Sequence, residues 1–553
     1  MFEKAKHLAA TPSRRYPKMN QLVNNHGTGL PSEVVFGFVY AVGTQSSPIK
    51  DQLEDELTQF GFEVHKIRLS DHFERHARKR NLKIDFPESP YDEKVASLMN
   101  AGNALCELIP DFVVSLAVSL ISYFRSKAQA AGKPTRGRAY LISSLRRPEE
   151  VSLLREIYGR GFHLVGIYAP ERERFMHLQF HESVGEDAAR KLMTRDFDEK
   201  RTSGQKTSET FALADVYIPQ DANSYRQHLR RFVDLVFANP FVTPTQDEQS
   251  MFMAFAASLR SGDLSRQVGA ALTSNNGDLL GVGCNDVPAP GGGLYWPGPH
   301  DQRDYVRGAD SNEKRRDEII GELVGKLRND ANISPGKVRS LLEDLNWTEF
   351  DDLRNRALSD DTFAEEVAAL FRNPDAVKPE VAKNMLRDTS LFSLTEFGRS
   401  VHAEMEALLS CARTGRSPVG ANLHVTTFPC HNCTRHIVSA GVARVVYVEP
   451  YPKSLALRLH WDSIALKEQG GKPDEACGQH AKVLFEPFIG IGPRRYFDLF
   501  SMTLGAGSKV RRKQYRAKGE IEKWSRTNAL LRVTLEDTSY LERENKAIAA
   551  IES

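Results

Sequence analysis

At 553 residues, 41% hydrophobic and 26% charged, the chain is too long for one hydrophobic core and is expected to form two or three domains. A formal net charge of +2 excludes a protein that coats nucleic acid through its overall charge, while leaving room for a local basic patch. Six scattered cysteines (Cys106, Cys284, Cys411, Cys430, Cys433 and Cys477) show no disulfide framework, so a reducing, cytoplasmic setting is expected.

Residues 1–30 lack a continuous apolar stretch and read as a flexible polar leader. A run of β-formers, "EVVFGFVYAVGT" (33–44), ends in a Gly-Thr turn. A helix capped by Ser47 with Pro48 at its first position follows, and then a strand, "FEVHKIRLSD" (62–71). "FVVSLAVSLISYF" (112–124) is too short to span a bilayer and reads as a buried helix, so no membrane partner is expected. Strand–helix–strand returns with "GRAYLISSL" (137–145) and "FHLVGIYAP" (162–170), and "ALADVYIPQ" (212–220) adds an edge element. Residues 31–240 therefore read as a doubly wound α/β domain with a parallel sheet. Within it, Gly37, Gly43 and Thr44 loosely resemble a phosphate-binding loop, and a regulatory nucleotide would bind there. The glycines are one residue too far apart, and Thr44 stands where lysine belongs. Gly43 as a plain strand-to-helix turn is the competing reading.

"NPFVTPT" (239–245) suits a domain boundary. A helix, "DEQSMFMAFAASLRS", and a hairpin, "RQVGAALTS-NNGD-LLGVGCND", open the second domain (245–500). The glycine-rich loop "PAPGGGLYWPGP" (288–299) comes next, followed by a charged helical insertion over 301–395. A strand, "ARVVYVEPY" (443–451), lies beyond the two signature segments. Residues 501–553 read as a basic and polar tail whose cations Lys509, Arg511, Arg512, Lys513, Arg516 and Lys518 form either a solvated helix face or a contact for RNA phosphates.

The chemistry concentrates in "SVHAEMEALLS" and "TFPCHNCTRH". His402, Cys430 and Cys433 offer one nitrogen and two sulfurs, the three protein ligands of a catalytic zinc site that leaves a fourth position for water. The CxxC spacing lets both sulfurs face one ion from the first turn of a helix, where thiolates are favoured. Glu404, two residues beyond the histidine, stands beside the ion as the proton carrier. The order H-x-E…P-C-x-x-C is a recognised zinc-deaminase signature. A redox CxxC or half a zinc ribbon is the bland alternative; a second CxxC, which a ribbon needs, is absent.

These segments resemble the cytidine deaminase superfamily over roughly 250–300 and 395–490, and within it most closely the deoxycytidylate deaminases. The resemblance implies an α/β/α zinc deaminase domain, Zn2+ as cofactor, and Asn285 as the amide that bonds the sugar 3′-hydroxyl; a turn-forming asparagine is its other reading. Nearly the whole chain, including "AVGT", "TPTQDEQSMFMAFAASLRSGDLSRQVGAA" and "GCNDVPAPGGGLYW", is similar to the bacterial antiphage dC nucleotide deaminases. That family joins a degenerate P-loop, kinase-like domain to a deoxycytidylate deaminase domain. It implies conversion of dCTP and dCMP to dUTP and dUMP, depletion of dC nucleotides during phage infection, and a small inhibitory RNA in some members; a homo-oligomer is expected as well. Two other functions stay open on the residues alone. One is a cytosine or adenine deaminase acting on RNA or single-stranded DNA, with Tyr295 and Trp296 as stacking groups. The other is a nucleotide-sensing or RNA-binding regulator with a structural zinc site.

Overall fold

The computed structural model describes residues 32–132, 137–199, 203–222, 224–328, 397–451, 454–467, 476–477, 480–503, 510, 512, 523–529, 531–533, 535 and 539–552. The leader at 1–30, insertion residues 329–396 and five of the six cations between 509 and 518 lie outside them. The chain forms two compact units, Met1–Glu248 together with Phe488–Ser553, and Gln249–Pro487. It is a mixed α/β protein built on two six-stranded sheets.

In the first unit β1 (Ser32–Val39), β2 (Phe62–Arg68), β3 (Gly137–Ser143), β4 (Phe162–Tyr168) and β5 (Val216–Pro219) pair in parallel. Val34, Val35, Phe36, Phe38 and Val39 are all fully buried. A strand apolar at consecutive positions is covered on both faces, as the central strand of a parallel sheet must be. The helix Ser47–Gln59 follows, with Pro48 in its first turn and Ser46, one residue earlier than expected, at the N-cap position. Ile49, Leu53 and Leu57, four residues apart, lay one stripe of that helix into the core around Phe36 and Phe38. The apolar run at 112–124 forms the helix Phe112–Ala131 with Phe112, Val113, Leu116, Ala117 and Ile121 buried. No single helix among the described residues is long and apolar enough to cross a membrane.

The second unit holds β6 (Gly269–Thr273), β7 (Leu279–Cys284), β8 (Asn422–Thr427), β9 (Arg444–Glu449), β10 (Ile464–Leu466) and β11 (Val483–Pro487), in the order β10-β11-β9-β8-β6-β7. β6 and β7 form the antiparallel hairpin that the "NNGD" turn predicts, with Gly269 opposite Cys284. β8, β9 and β11 run parallel. Leu272, Leu423, Val425, Val445 and Phe485 from the sheet meet Ala403, Ala407, Cys411, Cys433 and Ile437 from the helices Ala403–Thr414 and His431–Ser439. Both chemically marked helices therefore stand on one core.

Past β11 the chain rejoins the first unit, which a linear reading of the sequence does not show. Gly490–Ile491 (β12) pairs antiparallel with β5 and completes the order β12-β5-β4-β1-β3-β2, so β5 is flanked on both sides rather than being the expected edge. Glu248, fully buried, anchors this strand: its carboxylate accepts from Arg231 at 2.6 and 2.7 Å and from the Ile491 N–H at 2.8 Å. Nor are residues 539–552 a free tail. Arg125, on the helix Phe112–Ala131, donates to Glu33 at 2.9 and 3.0 Å and to Glu544 of the helix Ser539–Glu552 at 2.8 and 2.9 Å. The Tyr140 and Tyr540 hydroxyls donate to Glu33, and Tyr158 donates to Glu544. Two buried carboxylates thus share one guanidinium, whose two hydrogen bonds to Glu544 tie the C-terminal helix to the N-terminal sheet unit. Arg125→Met should lower unfolding free energy by about 3 kcal/mol, because both carboxylates stay buried without their counter-charge. Urea unfolding followed by tryptophan fluorescence and circular dichroism measures it; a loss under about 1 kcal/mol would show the network to be idle.

Candidate metal centre

Two local devices bring the marked side chains together. Asp286, two residues past the end of β7, exchanges backbone hydrogen bonds with Val401, its N–H donating at 3.2 Å and its carbonyl accepting at 2.9 Å. The next residue, His402, is the extended N-cap of the helix Ala403–Thr414, and Glu404 falls in that helix's first turn. On the other side β8 ends at Thr427, and Pro429 leads into Cys430, the extended N-cap of the helix His431–Ser439. The Cys433 N–H donates to Cys430 Sγ at 3.4 Å, so the thiol takes the part a serine or aspartate cap would play. The Ser454 hydroxyl holds the Pro429 carbonyl at 2.8 Å. The helix carrying Glu404 comes close to the sheet because β7 has glycine where a side chain would stand: a Cβ on Gly283 would lie 2.2 Å from the Ala403 carbonyl.

His402, Cys430 and Cys433 each aim one donor atom at a common point, the three atoms lying within 4.8 Å of one another. His402 Nδ1 is 3.3 Å from each sulfur. A tetrahedral zinc ion, with sulfur at about 2.3 Å and nitrogen at about 2.0 Å, separates such donors by roughly 3.5 Å, so the donor set fits zinc in both chemistry and spacing. Glu404, buried beside them, has Oε2 3.4 Å from Cys433 Sγ.

The charges in the pocket are interlocked. His402 is held up to about 9, chiefly by its hydrogen bond with Cys430. Cys430 is pulled down to about 4, first by its hydrogen bond from the Cys433 thiol and, against the cost of burial, by His402. Cys433, the donor in that pair and itself buried, is pushed well above the ordinary thiol range. Burial lifts the Glu404 carboxyl to about 7, and the negative Cys430 adds to the lift. Without metal the centre is therefore an imidazolium–thiolate pair with one protonated thiol. The Cys430 folded-state value is depressed, so its thiolate persists at every pH above about 4. In chelator-stripped protein, alkylation of Cys430 by iodoacetamide should hence stay flat between about pH 5 and pH 8, whereas an ordinary thiol slows about tenfold per unit below its pKa. Peptide mass spectrometry at a series of pH values reads this, and a tenfold-per-unit slope at Cys430 would refute the thiolate.

Asn285 is nearly buried next to the Asp286–Val401 bridge. Its side-chain oxygen accepts from the Val268 N–H and its amide donates to the Arg266 carbonyl, both at 2.7 Å, which leaves one lone pair and one hydrogen for a ligand. Two side chains that the motif does not contain are coupled to the centre by charge, with Arg266 beside them. The carboxylate of Asp263 raises the His402 value, while Tyr451 is raised by burial first and then by Cys430, with Arg266 opposing. Arg266 heads the hairpin segment "RQVGAA" and pairs with Glu449 at 2.5 Å; its charge beside that motif is the signal that could have singled it out. Cys284 and Cys411 are buried packing thiols. A separate cavity of about 710 Å³ lies under the glycine-rich loop, on the Glu406–Ser410–Arg413 face of the helix Ala403–Thr414, with Arg260 stacked 3.7 Å over Trp296.

The three loop residues of the first unit part company. Gly37 sits inside β1, where a Cβ would lie 2.6 Å from Leu145 and 2.8 Å from Phe162; it is a packing glycine and does not reach the loop. Gly43 turns the chain at φ +83°, against the Arg174 carbonyl. The Thr44 hydroxyl is buried with no partner among the described residues. The neighbouring Val42 N–H is already taken, by Asp196.

Residues 244–449, which contain the whole cluster, match the family described as the cytidine and deoxycytidylate deaminase zinc-binding region. ComE operon protein 2 of Bacillus subtilis (strain 168) is 43% identical over 53 residues, 10% of this chain and 28% of that protein. The deoxycytidylate deaminase of Enterobacteria phage T2 is 41% identical over 64 residues (12% and 32%), and that of Mycobacterium phage D29 is 48% identical over 48 residues (9% and 36%). The chain thus spans about a third of the length of the curated relatives it matches. Among solved structures, the apo dCMP deaminase of cyanophage S-TIM5 aligns over 45% of this chain and 100% of its own at 15% identity, with a TM-score of 0.21.

Proposed function

We propose, from the premise that residues 244–449 carry a cytidine deaminase-superfamily domain, that the chain deaminates deoxycytidine nucleotides hydrolytically, converting dCMP or dCTP to dUMP or dUTP with release of ammonia. The observation that carries this reading is the convergence of His402 Nδ1, Cys430 Sγ and Cys433 Sγ with the buried Glu404 carboxylate at their side. In it His402, Cys430 and Cys433 are the ligands of Zn2+, and Glu404 is the catalytic residue. A zinc ion held there supplies Lewis acidity that brings the pKa of water towards neutrality.

Glu404 then does the proton work. Its carboxylate takes a proton from the attacking water at Oε2 and delivers it to ring N3 as the C4–O bond forms. The second proton of that water goes by the same carboxylate to the amino nitrogen, so the C4–N bond breaks with neutral ammonia leaving and a C4 carbonyl remaining. Burial of Glu404 keeps bulk water from short-circuiting the transfer. Asn285, with one donor and one acceptor left, orients the sugar hydroxyl. The similarity to antiphage dC nucleotide deaminases supports a role in depleting dC nucleotides during phage infection, and with it control by RNA.

Ammonia release from dCMP, dCDP, dCTP, CMP, deoxycytidine and a cytosine-containing oligodeoxynucleotide decides the substrate class. Turnover of free deoxynucleotides with an inert oligonucleotide is expected. Turnover of the oligonucleotide alone would replace this reading with a polynucleotide deaminase.

A further inference from the structure

The loop after β1 bonds to a buried carboxylate from a distant part of the chain. The Val42 N–H donates to Asp196 Oδ2 at 2.7 Å. The other carboxylate oxygen accepts from the Arg146 guanidinium at 2.8 Å and from the Thr207 hydroxyl at 3.1 Å. Asp196 has no exposed surface and stands on the helix Glu186–Phe197, 154 residues along the chain from Val42. Loop N–H, guanidinium and hydroxyl are the donors that a phosphate oxygen would otherwise receive.

The setting is that of a ligand site. The loop leaves the C-terminal end of β1, with β3 on one side and β4 on the other, where open parallel sheets take their ligands. Cationic groups gather there: Lys50 lies 5.5 Å and Arg146 5.3 Å from the centre of the Tyr40 ring. The buried Thr44 hydroxyl, unpartnered among the described residues, sits two residues beyond Val42.

We infer that this loop is a phosphate-binding site held shut by Asp196, so that a di- or triphosphate group and the docked helix Glu186–Phe197 compete for the same Val42 N–H and Arg146 guanidinium. None of these residues belongs to the metal centre. Full-length protein titrated with inorganic pyrophosphate by calorimetry tests it. Asp196→Ala should bind pyrophosphate about tenfold or more tightly than wild type, one freed charge-assisted contact being worth about that factor. The double variant Asp196→Ala/Arg146→Gln should lose the gain. Equal affinities in wild type and Asp196→Ala, or a gain that survives Arg146→Gln, would overturn the proposal. Should Asp196→Ala fail to fold, hydrogen exchange on the wild type decides: saturating pyrophosphate should speed exchange across 186–197, and pyrophosphate binding that leaves those amides protected would overturn it.

Discussion

Glu404→Gln is expected to keep its zinc and to lose deamination by a factor of about 10²–10⁴, the usual worth of a positioned general acid–base. The amide is the same size as the carboxyl and stays beside Cys433, so the ligand trio is undisturbed. What disappears is the group that can hold a proton. In the proposed mechanism the wild-type carboxylate accepts and returns the proton, and its Oε2 lies 3.4 Å from Cys433 Sγ. Zinc by elemental analysis and ammonia release on the same sample separate the two effects. Turnover equal to wild type would remove Glu404 from the mechanism; loss of zinc together with turnover would make it a ligand or a structural residue.

Cys433→Ala should weaken zinc binding by well over 100-fold, more than the 10–100-fold typical of losing an outer-shell partner, because it removes a donor atom outright. Cys433 Sγ lies 3.3 Å from His402 Nδ1, and its backbone N–H caps onto Cys430, so the thiol and the helix entry share one turn. The control is Cys411→Ala, a fully buried thiol near the far end of the helix Ala403–Thr414, which should cost stability and leave zinc affinity unchanged. Chelator competition on both variants reads the difference. Wild-type affinity in Cys433→Ala would leave only a two-ligand or unrelated site.

The parts legible in the linear chain share a physical property. Helix entries, turns and the CxxC are local: their geometry is set by residues within a turn of one another. Pro429 and Cys430 start a helix, the i,i+3 spacing returns Cys433 to the same end, and His402 is a second N-cap with Glu404 in the turn it opens. Parallel pairing was legible in β1, β3 and β4 because strands buried on both faces must be apolar at consecutive positions. Gly37 shows the limit of that reading. A glycine in a loose phosphate-loop pattern and a glycine beneath Leu145 and Phe162 look alike in one dimension.

What the chain determined alone was thus the chemistry at its local turns: two helix entries bearing a nitrogen, two sulfurs and a carboxylate, and apolar runs that commit it to α/β layers. Only the tertiary structure decided where distant charges go. Arg125 meets Glu544 across 419 residues of sequence, Val42 meets Asp196 across 154, and a two-residue strand at 490 closes a sheet begun at 32. Such contacts have no periodicity and no spacing rule. A buried carboxylate must find a counter-charge or a donor somewhere, but desolvation sets only that requirement, and the partner is whichever group the packed sheets bring within reach.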